Sequence, residues 1–305
     1  MGLFTGTAHG QSAAPARPRR DLAAAHQPAH QRGWPSPLTF FCLTFVWSWV
    51  FWGLAIASGR SYTAFPTVVL FVIGSIGPSL VGLLLTLRAS GRQGARGLLK
   101  RAAGLGRITL RWWAAMVGLA ALPNLGALLL AAGMHGKAPD LSKALELAGT
   151  PLALLSIAAF ALAAGVAEEG GWRGFALERL RFRRSALAAS VVIGVAWSLW
   201  HLPLFFLDGT YQNELGFGSA AFWWFMAEKL PLAVLFTWIY EGSGGLVAAA
   251  IAFHAIGNIV GDVFPAGGGA RWVSLAILVG LAGAIAARWR DRTPHDHAGQ
   301  QVEPL

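Results

Sequence analysis

Eight apolar runs, each close to the length that crosses a lipid bilayer, occupy most of this chain: 38–57, 64–87, 112–134, 151–180, 185–207, 222–240, 245–264 and 272–287. A helical span takes about 20 residues of low polarity. Inside lipid only helices or closed barrels satisfy the backbone, so runs of this length predict an all-α, polytopic transmembrane bundle of about eight spans. Composition agrees. Hydrophobic residues make up 55% of the 305 residues and charged ones only 12%, about half the charged share of a soluble domain. A soluble fold so poor in charge would expose large apolar patches. The sixth run is the weakest, because Glu228, Lys229 and Pro231 predict a broken or interfacial segment there. The fourth is long and changes character at Glu168, and the eighth is short.

The transmembrane domain is expected over 38–290. Residues 1–37 are rich in Ala, Pro, Gln, His and Arg without apolar periodicity, which predicts a disordered tail. They do not read as a signal peptide, since the first apolar run starts late and lacks a small-residue cleavage site. Residues 291–305 form a second tail. The single cysteine, Cys42, has no partner for an internal disulfide and no companions for a thiolate metal cluster.

Lys and Arg number 24 against 14 Asp and Glu, a net charge of +10. In a soluble protein that balance would point to nucleic acid. Here the positive charges collect in the 88–111 loop, in the 179–184 turn and at the C-terminal end in Arg288, Arg290 and Arg292, while the alternate loops hold few. With eight spans and a cytoplasmic N-terminus, all the basic segments fall on the cytoplasmic side, as positive-inside topology requires. Both termini are therefore expected in the cytoplasm. The charge excess is a topology signal, and nucleic acid is not an expected partner.

Ionisable groups inside a bilayer are costly, so each is a functional candidate. Few are present. In A-E-E-G-G-W-R-G-F, residues 167–175, Glu169 and Arg173 stand four apart and can pair on one helix face. Glu168 is turned about 100° away, free to serve as a general base; alternatively the charges mark the end of a span. Glu168 lies 16 residues before Arg184 and His201 lies 16 residues after Ser185. In an antiparallel hairpin both sit roughly 24 Å from the turn, at one depth and able to face each other. That requires the fourth helix to continue through Arg173 to about Leu180. His254 and Asn258, again four apart, stack on one face and can supply donors to a developing oxyanion. Gly257 and Gly261 on that helix also permit close packing of a neighbour. Asp262 is a minor candidate. Trp172, Trp197, Trp200, Trp223 and Trp224 could line an apolar cavity, or serve as core and interfacial residues.

Taken in order on successive spans, Glu168-Glu169-x-x-x-Arg173, an aromatic-x-x-x-His ending at His201, and His254-x-x-x-Asn258 resemble the CPBP (Abi) family. These are intramembrane proteases that include CAAX prenyl endopeptidases and bacteriocin-processing or self-immunity proteins. The resemblance covers roughly residues 150–265. It implies an endopeptidase acting at or within the membrane on a membrane protein or peptide. Glu168 and His201 would activate the hydrolytic water, His254 and Asn258 would stabilise the oxyanion, and Glu169 and Arg173 would hold the first motif in place. One position departs from the family, which usually has Phe where this chain has Trp197. The family has been described both as metalloproteases and as glutamate-dependent enzymes. Glu168, His201 and His254 could furnish a zinc set, but the HExxH signature is absent, and no cofactor is favoured. A non-catalytic binding or self-immunity scaffold is the alternative. A proton-relaying transporter is another, and it would need internal repeats that the sequence does not display. The Ala-, Gly- and Arg-rich composition suggests a bacterial plasma membrane, where a prenylated substrate is less expected.

Overall fold

Each apolar run becomes helix, and the breaks between them follow local chemistry. The computed structural model describes residues 35–136 and 138–289; the two expected tails lie outside these residues, apart from 35–37. Helix α1, Pro37–Ala57, starts where Ser36 accepts a 3.1 Å hydrogen bond from the Thr39 amide and proline fills the first turn. The second run is two helices, α2 (Thr67–Ser75) and α3 (Gly77–Ala102), bent by 47°. Pro78 enters at the start of α3, where it lacks an amide to continue the preceding helix. A second irregularity in α3 falls at Gly91, whose φ of 62° only glycine adopts freely. Beyond it the helix becomes amphipathic and basic.

Helix α4, Leu110–His135, and short α5, Ser142–Ala148, lead to α6, Pro151–Gly171. Helical structure then continues through a π-helical segment, Trp172–Leu177, into α7, Glu178–Arg181. The continuation expected through Arg173 to about Leu180 is thus present, with wider turns than an α-helix. Helix α8, Ala186–Trp200, is capped by Ser185 and followed by a 3₁₀ turn, Leu202–Phe206. The chain then forms α9 (Tyr211–Leu215), α10 (Ala220–Gly242), α11 (Val247–Val263) and α12 (Ala270–Trp289). The sixth run is not broken as expected: α10 is continuous, with Pro231 inside it. Six helices are each long and apolar enough to cross a membrane, or up to seven with the bent pair, and α11 is a shorter apolar helix. The protein is a multi-pass, all-helical membrane protein. Its polarity is inverted accordingly: Val46, Val50 and Leu54 of α1 and Leu155, Phe160 and Val166 of α6 are exposed, whereas Glu168, Glu169 and Arg173 are buried.

The 88–111 and 179–184 basic segments meet at one end of the bundle. Arg101 pairs with Glu178 at 2.9 Å, Arg181 with Glu241, and the Trp112 ring lies against Trp238. At the other end the Tyr62 amide donates to the Asp208 carbonyl.

Helix α6 is wedged between α3 and α11 by missing side chains. A Cβ on Gly171 would lie 2.2 Å from the Pro78 carbonyl oxygen, and one on Gly165 would lie 2.8 Å from that of Ile251. Both obstacles are backbone and cannot swing aside. The close approach expected at Gly257 and Gly261 is absent, since a Cβ at either would meet nothing within 4 Å. Gly171→Ala is expected to destabilise the detergent-solubilised protein by about 1–3 kcal/mol through overpacking. Thermal unfolding measures it, and an unchanged melting temperature would mean that α3 and α6 have slack.

Candidate active site

The wedge carries the two glutamates into the protein interior, where their surroundings differ. Glu169 is fully buried and accepts from Arg173 Nη1 with both oxygens, at 2.9 and 2.8 Å. This is the i,i+4 pair that the spacing predicts. The guanidinium is sandwiched against the rings of Phe236 at 3.9 Å and Trp197 at 4.9 Å, contacts that favour a cation. Glu169 Oε1 also meets His254 Nδ1 at 2.8 Å. A carboxylate oxygen only accepts, so Nδ1 carries a proton, and in the neutral ring Nε2 presents its lone pair.

That Nε2 lies 3.9 Å from Glu168 Oε1. The other oxygen of Glu168 is occupied by indoles: Trp197 Nε1 donates at 2.7 Å and Trp172 Nε1 at 3.3 Å. One carboxylate oxygen is therefore tied to the scaffold while the second faces an imidazole across a gap too wide for a direct bond. Glu168 and His254 are each 7% exposed.

His201, also buried, terminates α8. Its Nδ1 bonds the Trp197 carbonyl at 2.7 Å, so Nδ1 is the protonated nitrogen there and Nε2 is again left over. The expected face-to-face meeting of His201 with Glu168 does not occur as a hydrogen bond; Trp197, one turn earlier, makes that contact. The Trp197 ring neighbours both histidines, 6.0 Å from His201 and 5.9 Å from His254. Asn258 sits one turn beyond His254 on α11, exposed and without a hydrogen bond among the described residues.

Sequence reasoning named Trp172 and Trp197 only as cavity or core candidates. Their indole N–H groups are the direct partners of Glu168. Lys229, which reads in the sequence only as a disruption of the sixth run, has its ammonium buried over the Phe225 ring at 3.9 Å and paired with Glu228 at 2.6 Å. Among the described residues no group of three or more His, Cys, Asp and Glu side chains is placed to hold a metal ion, and Glu168, His201 and His254 do not converge as one zinc ligand set.

Residues 150–260 match the family model described as type II CAAX prenyl endopeptidase Rce1-like. Over this stretch the chain is similar to the core of the CPBP-family intramembrane proteases. Among curated proteins, CAAX prenyl protease 2 of Methanococcus maripaludis is 24% identical over 257 residues, spanning 82% of this chain and 93% of that archaeal protein. The matched stretch contains α6, the π-helical segment, α8, α10 and all but the last turn of α11. Every residue just described at the site lies within the matched stretch.

Proposed function

We propose that the CPBP core hydrolyses a peptide bond in a membrane-anchored substrate, with Glu168 as general base. The observation that carries this reading is the asymmetry of Glu168: Oε2 fixed by two indole donors, Oε1 facing His254 Nε2 at 3.9 Å. A water hydrogen-bonded to both, at about 2.8 Å from each, fits that separation. Glu168 Oε1 takes a proton from the water, whose oxygen attacks the scissile carbonyl carbon. The same proton then goes to the departing amine nitrogen as the C–N bond breaks. His254 orients the water through Nε2 and is itself held by Glu169. His201, whose Nδ1 is held by the Trp197 carbonyl, shares in activating and polarising the reactants through its own Nε2. Asn258, whose side chain makes no hydrogen bond among the described residues, supplies a carboxamide donor to the oxyanion. Glu169 and Arg173 position the rest.

The substrate class follows from the names the matches carry: a peptide tail next to a lipidated residue, with a prenylated CAAX-type peptide as the first candidate. The setting is the plasma membrane. Comparative membrane proteomics of cells with wild type against Glu168→Ala tests the reading. Peptide termini that appear only with the glutamate support it, and identical terminal profiles under conditions of expression would overturn it.

Trp197→Phe separates the indole donor from the ring that Arg173 and the histidines pack against. Hydrogen bonds to charged groups contribute about 1.5–3 kcal/mol. A fall in kcat of about 10–100-fold, with KM little changed, is expected from reporter cleavage. A wild-type kcat would show that Trp172 alone suffices.

A further inference from the structure

The amphipathic arm of α3 beyond Gly91 carries a feature that the hydrolytic reading does not use. Arg92, Arg96 and Lys100 stand at i, i+4 and i+8, so they form one row about 12 Å long. All three are exposed, and with Gln93 and Gly97 they line a hollow of about 610 Å³. A Cβ on Gly97 would meet nothing within 4 Å, which leaves the floor of the hollow open. None of the three cations has a hydrogen bond or ion pair among the described residues.

Positive-inside topology asks only for charge in the loop and not for a row of it. Like charges at i,i+4 repel and destabilise a helix. Acidic partners do exist at this end of the bundle, but they are taken: Glu178 by Arg101 and Glu241 by Arg181. The row is what remains unneutralised. Beside it Leu99 is 54% exposed, so cations and an apolar side chain share one face. The opposite face is packed inward through Ala95 and Leu98.

We infer that the Arg92–Arg96–Lys100 row is a binding site for a phosphate-bearing anion, and specifically for the headgroup of an anionic phospholipid. Three donors along one helix face and the adjoining Leu99 match a phosphodiester with acyl chains below it. The site is coupled mechanically to the catalytic core. A Cβ on Gly174 would lie 2.5 Å from Leu98 Cδ1, and Arg101 Nη2 donates to the Gly174 carbonyl at 3.5 Å. Gly174 follows Arg173 in the π-helical segment. A headgroup on the outer face thus steadies the arm whose inner face clamps the segment that carries Arg173.

The test needs no peptidase activity, so it stands or falls apart from the proposed function. Purified full-length protein is titrated by native mass spectrometry with phosphatidylglycerol, with phosphatidylcholine, or with sodium phosphate. Wild type is expected to prefer phosphatidylglycerol by on the order of 100-fold at low salt, and less as salt rises. The triple variant Arg92→Gln, Arg96→Gln, Lys100→Gln is expected to lose that preference and the accompanying rise in melting temperature. A control with equal charge loss at exposed positions of the same end, Arg107→Gln, Arg183→Gln, Arg184→Gln, is expected to keep both. The proposal is overturned if the first variant keeps the preference while folded, or if the control loses it equally, since bulk charge would then explain it. Inorganic phosphate that binds and stabilises as well as the lipid would assign a soluble ligand and overturn the lipid assignment.

Discussion

Glu168→Gln is expected to lose about 10³-fold in cleavage rate, within the range that a positioned general base contributes, and to remain folded. The amide is nearly isosteric with the carboxylate. Its carbonyl oxygen can still accept from Trp172 and Trp197, and its NH₂ faces His254 Nε2 across the same 3.9 Å gap as the carboxylate oxygen it replaces. What disappears is the ability to take a proton from water. Cleavage of a membrane-anchored reporter in reconstituted vesicles measures the loss, and thermal unfolding checks the fold. Activity above about a tenth of wild type would remove Glu168 as the base. A protein that only binds its partner on this scaffold would tolerate the substitution, so the same variant separates the two classes of function.

Arg173→Met is expected to have the largest effect on stability, about 3–5 kcal/mol, because it strands Glu169 as a buried carboxylate with His254 as its remaining partner. The guanidinium is fully buried, and its Nε and Nη2 make no hydrogen bond. The ion pair is thus imperfectly satisfied, and removing both charges should cost less than removing one. The double variant Glu169→Gln, Arg173→Met is accordingly expected to recover part of the loss, a coupling that a double-mutant cycle on melting temperatures reads directly. Equal destabilisation in the single and double variants would mean that packing against Phe236 and Trp197 matters more than charge.

The Glu169–Arg173 pair could be read from sequence because it is local. Both residues lie on one continuous helical segment, and four-residue spacing fixes their face. The eight apolar runs were legible for a similar reason: the cost of desolvating backbone and charge is large enough to dominate every local preference. The partner of Glu168 was not legible. Counting 16 residues either way from the turn assumes equal rise on both sides, whereas the side containing Glu168 passes through Trp172–Leu177, whose π-helical turns hold more residues each. Glu168 therefore meets Trp197, one turn short of His201. The continuity of α10 was hidden too. Pro231 and the buried Glu228–Lys229 pair look disruptive in isolation, but the two charges neutralise each other at 2.6 Å. The absence of close packing at Gly257 and Gly261 belongs to the same group, because small residues permit a close neighbour without supplying one.

The wedge of α6 between α3 and α11 also sets a minimum reach for whatever is cut. Thirteen residues separate Glu168 from Arg181 at the basic end, about 20 Å at helical rise. An extended chain advances about 3.3 Å per residue, so a peptide entering from that end must thread about six residues before a carbonyl arrives beside Oε1. A folded domain held at the surface cannot do this. Under the proposed hydrolysis, access from this end would be open only to unfolded tails at least that long, so the core would select by reach before it selects by side chain.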